Sequence, residues 1–78
     1  MQHLATASFK DTYAGFIPVK LVPFRTKRKG VTVTRYAWKT MENGGIGIWR
    51  DPSFPTVEHA TRAASRIPHL FKDITATA

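Results

Sequence analysis

The dipeptide Asn43-Gly44 lies between two segments of strand character, residues 31–41 and residues 46–50. The first segment alternates and is rich in Val, Thr, Tyr and Trp, and the second contains Ile and Trp. Asn-Gly favours a two-residue β-hairpin turn, because both turn residues of that type need a positive φ. The sequence therefore predicts an antiparallel hairpin centred on this dipeptide.

The predicted register assigns the hairpin side chains to two faces, because alternate strand residues point in opposite directions. It places Lys39 opposite Ile48 and Trp38 opposite Trp49. The aromatic face carries Thr32, Thr34, Tyr36, Trp38 and Trp49. The second face, which mixes cations with aliphatic residues, carries Val31, Val33, Arg35, Ala37, Lys39, Met41, Ile46, Ile48 and Arg50.

Residues 13–24 are β-branched and aromatic, which is typical of a strand. Pro18 and Pro23 each remove a backbone donor, so the sequence predicts a strand at the edge of the sheet. Residues 25–30 are too polar for a buried strand and end in glycine, and we expect them to form an exposed loop.

A helix is predicted over residues 56–67, with Thr56 as N-cap, Glu58 in the first turn and Pro68 after its end. Its apolar face is mostly alanine, and a face of small residues lets a helix approach a sheet of bulky side chains closely. The residues of this face are Val57, Ala60, Ala63, Ala64 and Ile67.

A chain of 78 residues is expected to form one small domain, residues 1–78, because a core of this size buries only about 60–65% of the unfolded surface. The predicted fold class is α+β: a three-stranded antiparallel meander packed against one C-terminal helix, in the order β-β-β-α. The ordered core is expected over about residues 13–74. Residues 1–12 and 75–78 are expected to be flexible.

The formal net charge of +7 is concentrated in one part of the chain. Six cations and no acid lie between residues 25 and 39. Uncompensated charge repels itself, so such a segment favours an anionic partner, and phosphate contacts by Lys and Arg release counterions. The sequence predicts a basic nucleic-acid-binding module. The alternative is a solvated hairpin tip.

The candidate site has two parts. The exposed loop is expected to contact phosphates, and the second sheet face is expected to contact a groove or the backbone. The loop residues are Arg25, Lys27, Arg28 and Lys29, and the sheet residues are Arg35, Lys39 and Arg50. DNA and RNA both remain open as partners.

The aromatic residues Tyr36, Trp38 and Trp49 have two interpretations. They could form a platform on which unpaired bases stack, or they could fill the core above the alanine helix. The core interpretation is favoured, because without these rings the helix has little to pack against.

Composition argues against several other functions. The chain has no cysteine, and His3, His59 and His69 are scattered without carboxylates beside them, so no metal site and no cofactor are expected. No pair of acids has a spacing typical of general acid–base catalysis, so no enzymatic activity is expected. No segment reaches the length of a membrane span, and a cytoplasmic location without membrane contact is the default expectation.

The order of elements, together with the basic middle strand, resembles the small DNA-binding modules in which three strands are backed by one helix. The arm-binding domains of tyrosine recombinases and the plant AP2-type domains are examples. The resemblance would cover about residues 13–67 and implies DNA binding through the sheet. It rests on the order of the elements, so no residue role is carried over.

A second hypothesis is a phage- or plasmid-type accessory or inhibitor protein that binds a host protein or a ribonucleoprotein complex. Short, compact chains without recognisable motifs mildly favour it. A monomer is expected, or a weak homodimer that pairs through the free edge of residues 46–50.

Overall fold

The computed structural model describes residues 4–76 and shows an α+β fold, in which one helix packs on a curled, five-stranded antiparallel sheet. The elements in chain order are β1 (Ala5–Asp11), β2 (Gly15–Arg28), β3 (Val31–Thr40), β4 (Ser53–Phe54), α1 (Val57–Ser65) and β5 (Phe71–Ala76). The strand order is β4-β3-β2-β1-β5. The α+β class is confirmed, but the three-stranded meander is wrong in strand number, and a strand follows the helix.

Strand β2 is the centre of the sheet and pairs with both β1 and β3, so the prediction of an edge strand is wrong. The positions of its prolines explain why they are tolerated. Leu21 accepts a backbone hydrogen bond from Leu4, so odd-numbered residues of β2 direct their backbone groups towards β1. Pro23 therefore faces the side where β1 has ended, and Pro18 faces the side where pairing with β3 has not begun. Neither proline interrupts a ladder.

The turn that joins β2 and β3 is Lys29-Gly30, with φ values of 53° and 80°. Two consecutive residues of positive φ define the type I′ turn of a tight hairpin. The predicted exposed loop over residues 25–30 is therefore wrong, because β2 continues as a strand to Arg28 and only two residues form the turn.

Asn43-Gly44 does not form the predicted two-residue hairpin. Only Asn43 has a positive φ, and Asn43 N–H donates to the Thr40 carbonyl over 2.9 Å. Thr40 Oγ1 accepts from Gly44 N–H over 2.9 Å, and a single bridge pairs Lys39 with Gly45. Residues 46–52 then leave the sheet in a loop, so the predicted third strand and its register are wrong.

The core lies between the helix and one face of the sheet. Leu21 and Val19 are fully buried, and Ala60 and Ala64 of α1 press directly on this face. Thr56 caps the helix by accepting from His59 N–H. The predicted apolar face is confirmed for Val57, Ala60, Ala64 and Ile67, whereas Ala63 is half-buried outside the core cluster. The helix ends at Ser65, slightly earlier than predicted.

Both ends that were expected to be flexible include strand residues in the described part of the chain. Residues 5–11 form β1, in which Ala5 and Ala7 are buried, and the predicted C-terminal fraying overlaps β5. Asp73 has a φ of 57° at the irregularity in the pairing of β1 with β5. Residues 1–3 and 77–78 lie outside the described part of the chain.

Candidate nucleic-acid interface

The distal halves of β2 and β3 extend beyond the rest of the sheet as a two-stranded ribbon, residues 24–35. Pairing with β1 ends at Leu21 on one side, and pairing with β4 begins at Tyr36 on the other. The ribbon contains no acid. Its cations are Arg25, Lys27, Arg28, Lys29 and Arg35. The structure thus gathers five of the seven predicted site residues on one projecting element.

One side of the ribbon, which we call the polar face, is polar throughout. Arg25 lies directly opposite Thr34, and Lys27 lies opposite Thr32. All four side chains are exposed. Guanidinium, ammonium and hydroxyl groups are the side-chain donors that proteins use for phosphate oxygens. The polar face therefore presents two cations and two hydroxyls to solvent at strand spacing.

The opposite side of the ribbon is anchored to the short strand β4. Arg35 donates from Nε to Ser53 Oγ over 3.0 Å and from Nη2 to the Ser53 carbonyl over 2.9 Å. Arg28 donates from Nη2 to Ser53 Oγ over 3.2 Å. Asp51 Oδ2 lies 3.4 Å from both guanidinium groups. The Arg35 side chain is only 15% exposed, so its main role is to hold β4 against β3.

The second carboxylate oxygen of Asp51, Oδ1, also takes part in this hydrogen-bond network. This oxygen accepts from the Ser53 N–H over 3.2 Å and from Ser53 Oγ–H over 3.1 Å. These hydrogen bonds, helped by the charges of Arg28 and Arg35, lower the pKa of Asp51 below its ordinary value of 3.8. The carboxylate is therefore charged at neutral pH and offsets part of the charge of the two arginines.

The sheet face turned away from α1, here called the outer face, carries a second group of cations. Lys20 of β2 lies directly opposite Lys39 of β3, so the two side chains point the same way with Cβ atoms about 4.5–5.5 Å apart. Like charges at this position destabilise a sheet. Within residues 4–76 the only ion pairs are the two made by Asp51, so neither lysine is neutralised.

A groove of about 700 Å³ lies between the outer face and the loop of residues 46–52. Its floor includes Val22 and Ala37, and Phe24, Lys39 and Arg50 border it. Lys39 and Arg50 thus border the same groove, although Arg50 belongs to a loop and not to the predicted strand. Arg35 does not line the groove.

The aromatic residues favour the core interpretation. Trp38 is 2% exposed, and its ring centroid lies 5.4 Å from that of Phe71. Trp49 packs edge-on against Phe54, with centroids 5.2 Å apart, and Tyr36 packs against the same core. Trp38 is therefore not a stacking surface.

Sequence reasoning missed Lys20 and Phe24. Both lie on the outer face, but only the pairing register reveals that Lys20 is opposite Lys39 and that Phe24 borders the groove. In the sequence, the one available signal for the position of these two residues was the strand pattern of residues 13–24.

Among residues 4–76, no group of His, Asp and Glu side chains is arranged to hold a metal ion. In the same part of the chain, no helix has the length and apolar character needed to cross a bilayer. No family model, curated protein or solved structure matches this chain.

Proposed function

We propose that this protein is a non-catalytic nucleic-acid-binding module that contacts the phosphate backbone with its β-ribbon, residues 24–35. The observation that carries the proposal is the polar face, where Arg25 and Lys27 lie beside Thr34 and Thr32 without an acid on the same element. A two-stranded ribbon is narrow enough to enter the major groove of a duplex and flat enough to follow a single strand.

The ribbon cations fall into two groups, according to whether they make an ion pair with Asp51. Arg25, Lys27 and Lys29 are exposed and free of ion pairs in the described structure, and they supply most of the salt-dependent affinity. Arg28 and Arg35 share Asp51, which reduces their attraction for a second anion. The predicted contribution of Arg35 to the interface is therefore indirect: it fixes the base of the ribbon.

The test is fluorescence anisotropy with labelled single- and double-stranded DNA and RNA at about 50 mM and about 200 mM salt. The double variant Arg25→Glu/Lys27→Glu should weaken binding by about tenfold or more at the lower salt. The matched control is Arg62→Glu/Arg66→Glu, which changes the net charge equally but on the exposed side of α1. Equal losses in the two variants, or no binding at low salt, would refute the proposal.

A second candidate function is binding to a host protein, as an accessory or inhibitor protein would do. The observation that favours it is the exposure of Val31, at 60%, and Phe24, at 38%, on the side of the ribbon opposite the polar face. Solvated apolar residues on an open strand pair suit a protein partner. This candidate would be favoured over the first if a purified protein partner still binds after nuclease treatment. The partner should also still bind the Arg25→Glu/Lys27→Glu variant.

For either partner we propose a cytoplasmic location and no cofactor. The proposed action is binding alone, so it should require no metal ion. Addition of a chelator to the anisotropy assay tests this point, because affinity should remain unchanged.

A further inference from the structure

The groove on the outer face combines an apolar floor with a cationic rim. Val22 and Ala37, which are largely buried, form the floor, and Phe24, a residue 38% exposed, stands at one side. The groove's volume of about 700 Å³ falls within the range of roughly 300–1,000 Å³ that is typical of small-molecule sites. A flat, apolar group of nucleobase size fits such a space.

The rim supplies positive charge that the fold does not neutralise. Lys39 and Arg50 border the groove, and Lys20 lies beside Lys39 across the strand pair. None of the three makes an ion pair within residues 4–76. Opposed lysines cost stability unless an anion lies between them. The anionic group of a ligand seated on the floor would therefore meet Lys39 and Lys20.

Two glycines at the rim have no evident role in the fold. Gly45 and Gly47 lack a left-handed φ, and a Cβ atom at either position would meet nothing within 4 Å. Glycine in such a setting often marks a place where a ligand approaches the backbone. Gly47 lines the groove on its loop side, where a Cβ atom would have open space.

We infer that this groove binds an unpaired nucleotide, with its base on the apolar floor against Phe24 and its phosphate between Lys39 and Lys20. The inference deepens the proposed function by naming an unstacked nucleotide as the unit recognised, and its biological setting rests on that function. A free nucleotide and a single strand offer the same chemistry, and the experiment separates them.

The experiment follows the amide ¹H–¹⁵N signals of Gly45 and Gly47 in the whole chain during titration. The probes are adenosine 5′-monophosphate, its two halves adenosine and ribose 5-phosphate, a single-stranded DNA decamer and a duplex of the same length. The nucleotide should shift both glycine signals, and each half should bind at least severalfold more weakly. The single strand should bind more tightly than the nucleotide, and the duplex should leave the glycine signals in place.

Matched variants separate the groove from the rest of the outer face. Phe24→Ala should weaken nucleotide binding about tenfold, which is the size of a lost stacking contact. Phe16→Ala is its control, because Phe16 is 41% exposed on the same face of β2 but lies outside the groove. Lys39→Gln should weaken binding, and Lys10→Gln should not.

Gly47→Ala is a variant that should not destabilise the fold. It should leave the melting temperature unchanged or slightly higher, because alanine restricts the unfolded chain, and it should weaken nucleotide binding severalfold. Undiminished binding by Gly47→Ala would contradict the placement of the ligand.

The two proposals fail in different ways. If the amide signals of Gly45 and Gly47 do not shift with any probe, the groove site is overturned. Salt-dependent oligonucleotide binding by the ribbon would still support the proposed function. Glycine shifts with the free nucleotide, combined with no oligonucleotide binding at low salt, would support the groove site and overturn the nucleic-acid function. Equal effects of Phe24→Ala and Phe16→Ala would also overturn the groove site.

Discussion

Trp38 donates its indole Nε1–H to the carbonyl oxygen of Ala60 over 3.1 Å. The largest side chain on the core face of β3 is thereby tied to one of the smallest residues of α1. Ala60 and Ala64 are completely buried, and their small side chains let the helix backbone come within hydrogen-bonding distance of the ring. This hydrogen bond thus joins the helix to the sheet at close range.

Trp38→Phe should lower the free energy of unfolding by about 2–3 kcal/mol, because it removes a buried hydrogen bond and leaves a cavity. In a domain of this size the melting temperature should fall by roughly 8–24 °C, as measured by circular dichroism. Trp49→Phe is the comparison. Its ring is only partly buried and donates no hydrogen bond within the described residues, so a loss as large as that of Trp38→Phe would contradict the importance of the indole contact.

Lys29→Asn should change stability and binding in opposite directions. Lys29 holds a φ of 53° in the type I′ turn, a conformation that asparagine adopts at lower cost. The variant should raise the free energy of unfolding by about 0.5 kcal/mol in urea denaturation. It should also weaken oligonucleotide binding, because a cation at the ribbon tip is lost. A variant that is less stable than the parent would contradict the turn assignment.

The region around Asn43-Gly44 shows why the hairpin was predicted in the wrong position. Asn43-Gly44 has the stronger local preference, but the pairing of Lys39 with Gly45 leaves only one residue in the left-handed region. Ile46 is then buried in the core at 5% exposure, which draws the chain away from β3. Tertiary burial outweighed the turn preference of the dipeptide. The helix was predictable because Thr56 and the alanine periodicity are local signals.

The candidate site could be predicted from the sequence in its composition but not in its geometry. The concentration of cations over residues 25–39 is visible in the sequence, and the structure places most of them on the ribbon. The partnership of Arg35 with Asp51 and Ser53 is not visible, because it depends on the short strand β4 returning beside β3. The opposition of Lys20 and Lys39 likewise requires the β2–β3 register.

Asp51→Asn should reveal the polar network through its pH dependence. The folded-state pKa of Asp51 is lowered, so the carboxylate stabilises the fold above about pH 3.8, and this contribution disappears as the pH falls through the folded pKa. The variant should therefore melt below the parent at about pH 7, and the difference should shrink at about pH 3. A difference that is the same at both pH values would mean that the charge of Asp51 does not matter. The variant should also bind oligonucleotides more tightly, because Arg28 and Arg35 are released.

Lys20→Gln tests the opposed lysines of the outer face. Removing one charge should raise the free energy of unfolding by a few tenths of a kcal/mol at low ionic strength, because the repulsion by Lys39 is lost. The gain should vanish at about 1 M salt, where charges are screened over roughly 3 Å. Lys10→Gln is the control, since Lys10 lies opposite Phe16 and not opposite a cation. Equal gains in the two variants would show that net charge, and not this pair, limits stability.

Under the proposed function, the salt dependence of oligonucleotide binding should report how many phosphates the ribbon contacts. Each neutralised contact contributes about 0.7 to the slope of log K against log salt for a single strand and about 0.9 for a duplex. Arg25→Gln/Lys27→Gln removes the two cations of the polar face and should reduce the slope by about 1.4 or about 1.8, respectively. Thr32→Val/Thr34→Val retains both charges, so it should weaken binding without changing the slope. An unchanged slope in the Arg25→Gln/Lys27→Gln variant would mean that the phosphates lie elsewhere, with the lysines of the outer face as the next surface to neutralise.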